Sequence, residues 1–289
     1  MSDKPSGKNW SRVADAYSKI IDETDALNPV GAACKELKEV VENTLPWSKA
    51  TFIIDMGCGT GPAISSVLDS STIAQQIPDS ARIVAADVAP SFVDMLRAHK
   101  AERQSSSSLW NRLEVENWDA TDLSGAIGDG EVSHLLSTYA YFAFREEKKA
   151  LLEAYRILQP GGIFIETSMF DVEWSTMARL FEELRPGRKV PGPEERWGRI
   201  DGVKETLESA GFSDVKARKY NIAIPFETHE AAVDMIKIFP WVAEYTADFS
   251  EEEMADARGR IMEFVRSRHP EAPLSLTGVA LIGWGRKAA

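Results

Sequence analysis

Cysteine is almost missing from this chain. Cys34 and Cys58 are the only two in 289 residues, too few for a disulfide framework. The four histidines and two cysteines form no C-x-x-C or H-E-x-x-H spacing, so no metal site is expected. Long apolar runs are also lacking. No stretch approaches the ~18 residues of a membrane span, and the polar opening "MSDKPSGKNWSR" has no apolar signal segment. The expected address is the cytoplasm, with no membrane partner. Positive charge is scarce as well: 33 Lys and Arg face 45 Asp and Glu, a formal net charge of -12. A broad phosphate-neutralising surface is therefore not expected, which removes nucleic acid as a partner and favours a small-molecule substrate.

A hydrophobic fraction of 44% with 27% charged residues is that of a folded globular protein. Apolar runs rich in Ile and Val recur as "TFIID" (51–55), "RIVAAD" (82–87), "RLEVE" (112–116), "VSHLLS" (132–137) and "GIFIET" (162–167). "VKARKYNIAI" and "LTGVALIGWGRK" follow later. Helical patterns stand between them, and strands alternating with helices predict an α/β fold with a mostly parallel sheet. Pro62 and Pro90 occupy first-turn positions. "REEKKALLEAYRIL" places Leu151, Leu152, Tyr155 and Leu158 on one predicted face, and Gly211 closes the helix of "DGVKETLESAGF". About fifty residues, 227–274, separate the last two strands, too many for a bare loop. They read as helices, with Ser250 and Glu253 forming a capping box. Trp10 to Leu45 is also helical by periodicity and is expected outside the sheet. The expected division is a helical lid segment over 1–50 and a ligand-binding domain over 51–289, with a helical lid insertion at 227–274.

The turn "GCGTG" carries Gly57, Gly59 and Gly61, then Pro62. Its third glycine comes one residue too early for a dinucleotide fingerprint, and no Lys-Ser or Lys-Thr follows as in a phosphate-binding loop. Asp55 ends the first predicted strand, Asp87 the second, and Asp119 follows the third. Such an acidic rim repels a polyphosphate and suits a ligand with an ammonium, a sulfonium and a ribose diol. S-adenosylmethionine fits that description.

At these residues the chain resembles the class I S-adenosylmethionine-dependent methyltransferases. The matching segments are "IIDMGCGTG", the second-strand acid Asp87, "NWDATDL" and "RILQPGGIFIE". The resemblance implies a Rossmann-like sheet of seven strands with an antiparallel last strand and a helical lid. It implies that Gly57, Gly59 and Gly61 approach the methionyl group, that Asp55 fixes their loop, and that Asp87 beside Val88 accepts the ribose hydroxyls. Asp119 and Trp118 would take the adenine, Ser137 and Thr138 the methionyl end, and Tyr17 would cover the cofactor. Packing alone is a competing account of Trp118, Tyr17 and Ser137.

Aromatic and sulfur side chains gather where such enzymes build the acceptor pocket. Tyr139, Tyr141, Phe142 and Phe144 follow the fourth strand; Met169, Phe170 and Trp174 follow the fifth. Trp10 and Trp241 are candidates to close it, as are Phe239 and Tyr245, and such a pocket suits a compact hydrophobic metabolite. No histidine falls at a strand end where a base would reach a substrate, and His134 lies within a strand, so no catalytic side chain is assigned. A thiol, with a reference pKa near ~8.5, needs less help to ionise than a phenol near ~10. The layout is similar to fungal secondary-metabolite methyltransferases, including those acting on the dithiol of gliotoxin-like compounds. Sulfur is the expected acceptor; nitrogen or oxygen transfer, and a non-catalytic cofactor-binding regulator, are the alternatives.

Overall fold

The computed structural model describes residues 7–12, 14, 28–104 and 108–289, without the side chain of Phe170. Tyr17 therefore lies outside the described residues, as does the Phe170 side chain. Strands β1 (Phe52–Met56), β2 (Arg82–Ala86), β3 (Leu113–Glu116), β4 (Val132–Thr138), β5 (Leu158–Val172), β6 (Ser213–Phe226) and β7 (Leu274–Arg286) form one sheet. Their order is β3-β2-β1-β4-β5-β7-β6. Neighbours from β3 through β5 pair in parallel, whereas β7 runs antiparallel to both β5 and β6. This is the Rossmann-like arrangement that the resemblance implies. Burial explains the sequence pattern: β1 is buried at every position and reads as unbroken apolar residues, while the edge strand β3 alternates.

β5 is longer than "GIFIET". At its start the register shifts between Val132 and His134. Gly161 has φ of 76°, and a Cβ on Gly162 would stand 2.9 Å from the Val132 carbonyl oxygen. Only glycine lets the strand pass there. At its far end β5 continues beside β7, with Met169 opposite Ala280 and Val172 opposite Gly278.

The longer helices are α1 (Pro29–Thr44), α2 (Pro62–Leu68), α3 (Pro90–Arg103), α4 (Glu147–Ile157), α5 (Glu173–Arg179), α6 (Ile200–Ser209) and α7 (Glu251–Arg268). α1 starts cleanly because the Asn28 side chain accepts from Val30 N–H at 3.0 Å and Pro29 opens the first turn. It is a sheet layer rather than part of a lid. Its buried Ala33, Leu37, Val40 and Val41 pack in the main core, and the helix contacts β4 through β7. α4 also departs from the predicted face: it buries Ala150, Leu151, Ala154 and Ile157 and leaves Leu152 58% exposed, and Leu158 already begins β5. Gly211 ends α6 with φ of 101°, its N–H bonded to Glu208 O at 3.0 Å.

The insertion holds short helices at His229–Asp234 and Pro240–Tyr245, then α7. α7 opens on the predicted capping box, with Glu253 N–H 3.2 Å from Ser250 Oγ and Ser250 N–H 2.8 Å from Glu253 Oε2. A second, small cluster of Ala14, Ala89 and Phe92, with Trp10 and Met95 against it, is separate from the main core.

Candidate active site

The chain runs outward from β1 to β3 and returns through β4, so the strand order reverses between β1 and β4. Ligands of open α/β sheets bind at the carboxyl ends of strands at such a point. A cleft of about 360 Å³ lies there, lined by Met56, Gly57, Gly59, Asp87, Trp118 and Asp119 and by Thr138, Tyr139, Ala140 and Phe144.

The glycine turn is built by backbone. Gly57, Gly59 and Gly61 have φ of 71°, 55° and 87°, the left-handed region that side chains resist. The N–H groups of Gly57 and Cys58 both reach Ala86 O, at 2.8 and 3.1 Å. A Cβ on Gly57 would strike Ala140 at 2.5 Å, and one on Gly61 would strike Leu96 at 2.4 Å. Gly59 differs: nothing stands within 4 Å of its would-be Cβ. Its glycine leaves open space on the cleft side, and that space is a cradle for a ligand.

Asp87 closes the cradle. Its Oδ2 accepts from Gly59 N–H at 2.9 Å and its Oδ1 from Ala89 N–H at 2.8 Å. Burial pushes its carboxyl up, opposed by those same N–H groups. Each oxygen has a second lone pair for a hydroxyl donor in the cleft. Asp119 Oδ1 accepts from the N–H and hydroxyl of Thr121, at 2.9 and 2.8 Å. Asn117, which sequence reading did not single out, donates to Asp87 O at 2.7 Å and ties the two loops together.

Several sequence candidates lie off the cleft lining. Asp55 is fully buried behind the turn, where it accepts from Ile64 N–H at 3.1 Å; burial pushes it up to about 7. Gly61 packs on Leu96, and Ser137 is buried within β4. Tyr141 and Phe142 turn into the core because a 3-10 turn, Tyr141–Ala143, follows β4; the Tyr141 ring lies 4.8 Å from Phe164. Met169 and Trp174 are carried away by the extension of β5, Met169 into its pairing with β7 and Trp174 into buried α5. Trp241 stands behind Trp10, edge-on at 5.8 Å, and stacks on Phe239 at 4.8 Å. Trp10 and Val88 do line the cleft.

The fold adds lining residues that carried no sequence signal: Val30 from the start of α1, and Arg145 with Glu146 just before α4. The histidines stay out. His134 is buried, with Nε2 2.8 Å from Leu45 O and its ring stacked on Trp47. Burial lowers it to about 4. His269 bonds Glu173 at 3.0 Å, and His229 Nε2 lies 2.7 Å from His269 O. Cys58 is no nucleophile, since burial and the carboxylates of Asp87 and Asp55 push its thiol up.

Comparison with known proteins decides what the cradle serves. A profile described as a methyltransferase domain matches residues 54–165. The chain is 30% identical to Methyltransferase ucsB of Acremonium sp over 284 residues, covering 97% of this chain and 96% of that protein. It belongs to the S-adenosylmethionine-dependent methyltransferases. This methyltransferase is also 26% identical to Methyltransferase tpcH of Aspergillus fumigatus, over 82% of this chain and 84% of that one. Its fold is like that of a Haemonchus contortus phosphoethanolamine N-methyltransferase bound to S-adenosylhomocysteine. That likeness has a TM-score of 0.54 at 12% identity, covering 96% of this chain and 58% of that one.

The cofactor is S-adenosylmethionine, and the cleft suits it: open space at Gly59, a carboxylate at Asp87 and an indole at Trp118. When bound it supplies a methyl group already activated on a sulfonium. The chain's own work is to align an acceptor and exclude water. Among the described residues no helix is long and apolar enough to cross a membrane.

Proposed function

We propose that this methyltransferase acts in the cytoplasm on a small hydrophobic metabolite of secondary metabolism, and that the acceptor atom is sulfur. The observation that carries this is the apolar part of the cleft lining beside the glycine turn. Val30, Tyr139, Ala140 and Phe144 make it apolar, and no histidine lines it. An acceptor held there needs to lose its proton without a histidine. A thiol does so near ~8.5, giving up S–H to water before the thiolate attacks. Alignment at ~3–3.5 Å then provides the rate. Gly57, Gly59, Asp55 and Asp87 shape and bind the cofactor side, with Trp118 and Asp119 at the adenine; Thr138 and Val88 complete it. Residues 7–12 and the helices at 229–245 close over the mouth as a lid. In support, Trp10 meets Trp241, and Asn9 Nδ2 lies 3.3 Å from Glu244 Oε2.

One observation favours a second reading. Glu146 is exposed and lines the cleft, so a carboxylate is available as base for a hydroxyl acceptor. Matched thiol, phenol and amine acceptors on one scaffold, assayed with wild type and Glu146→Gln, separate the two. Transfer to the thiol, with a rate rising through the thiol's own pKa and little change in Glu146→Gln, supports sulfur. Transfer confined to oxygen, with a ~10²–10⁴-fold loss in Glu146→Gln, supports the second reading.

A further inference from the structure

Tyr139, immediately after β4, has φ of 54°. A bulky residue in the left-handed region is strained, and such strain persists only where the surroundings over-determine it. Here they do so from three directions. The Tyr139 N–H is shared between Thr167 O at 3.2 Å and Thr167 Oγ1 at 3.0 Å, both on β5. Its hydroxyl lies 2.8 Å from Pro29 O, at the first residue of α1, and 2.8 Å from the hydroxyl of Tyr220 on β6.

Proton counting gives this network a direction. A carbonyl only accepts, so the single hydroxyl proton of Tyr139 goes to Pro29 O, and Tyr220 must donate to Tyr139. Thr167 Oγ1 accepts from the Tyr139 amide on the other side of the same residue. Tyr139 is thus the hub that joins the end of β4 to β5, β6 and α1. Tyr139, Thr167 and Tyr220 are all buried, where each satisfied bond is strong and each lost partner costly.

What the network holds is the acceptor wall. Thr138, Tyr139, Ala140 and Val30 line the cleft, and Ala140 bears directly on Gly57. Tyr220 and Thr167 do not line it. We propose that Tyr220 is a positioning residue for methyl transfer: its hydroxyl locks Tyr139 in the left-handed conformation and so fixes the spacing between the acceptor wall and the glycine turn. The proposal rests on reading that wall as the acceptor side, though not on the acceptor atom.

The test uses Tyr220→Phe in the full chain, with Ile222→Val as a control. Ile222 is buried on the same strand and is outside the network. Two readouts are taken: amide exchange of the free protein over 28–31 and 138–141, and kinetics with whichever acceptor of the panel is turned over. Tyr220→Phe is expected to raise exchange in both segments together by about tenfold and to lower kcat by about tenfold. Acceptor KM and cofactor affinity stay within about threefold. Ile222→Val, at a matched loss of melting temperature, should show neither change. Unchanged exchange at 28–31, unchanged kcat, or equal effects in Ile222→Val would each overturn the proposal. Because the kinetic arm takes any accepted substrate, failure of the sulfur assignment is read separately from failure here.

Discussion

The two walls of the cleft are made differently. The cofactor wall is held over shorter separations: Asp87 and Asp119 each bind an N–H two residues away, and Gly57, Cys58 and Gly59 are tied to Ala86 and Asp87, 28 or 29 positions on. The wall proposed for the acceptor is assembled over distance. Tyr139 reaches Pro29 across 110 positions and Tyr220 across 81, and the rim bond from Asn9 to Glu244 spans 235. A wall of shorter-range backbone geometry serves a ligand common to many relatives. A wall of long-range packing can be reshaped for one acceptor without disturbing that ligand.

The sharpest break of this division is Gly59→Val. A β-branched side chain would meet both a left-handed φ of 55° and the ligand's space. Calorimetry should detect no S-adenosylmethionine binding in a folded variant; retained binding would move the cradle elsewhere. Next comes Leu37→Ala. Leu37 is fully buried on α1, so urea unfolding should show a loss of about 2–5 kcal/mol. Trp10→Ala, in the small outer cluster, should lower stability less than Leu37→Ala while raising acceptor KM. If the two losses are equal, the separation of α1 from the lid is wrong.

A pH prediction concerns Glu166, fully buried on β5 with no hydrogen-bond partner for either carboxylate oxygen among the described residues. Burial pushes it well above its ordinary value. The folded state therefore holds a proton that the unfolded state releases, and stability falls as pH rises above the unfolded pKa of about 4.3. Glu166→Gln should be the more stable protein at pH 8, and the difference should shrink toward pH 4. An unchanged gap across that range would mean that Glu166 is not protonated in the fold. The smallest effect is the one expected for Glu146→Gln with a thiol acceptor, a change in kcat of less than about twofold, since no base is required.

The seven strands were legible as apolar runs, unbroken in buried β1 and alternating in the edge strand β3, and the glycine turn was legible from its G-x-G-x-G spacing. Gly57, Gly59 and Asp87 lie at the cleft, as expected. Tyr141, Phe142, Met169 and Trp174 were misplaced among pocket residues because proximity in sequence to a strand end does not fix which way a side chain turns. A 3-10 turn sent Tyr141 inward, and the prolongation of β5 carried Met169 past the cleft. The N-terminal segment misled in another way. The periodicity of α1 is that of any amphipathic helix, and only its contacts with four strands show that the buried face meets the sheet. Val30, Arg145 and Glu146 had no local signal, since they reach the cleft through tertiary packing alone.

The most direct test of the divided cleft is calorimetric titration of S-adenosylmethionine into Asp87→Ala and Tyr139→Phe, side by side with wild type. Asp87→Ala should lose about 1.5–3 kcal/mol of cofactor binding, the range for a hydrogen-bonded charge. Tyr139→Phe should stay within about threefold of wild type, because the groups it disturbs belong to the acceptor wall. Equal losses in the two variants would contradict the account.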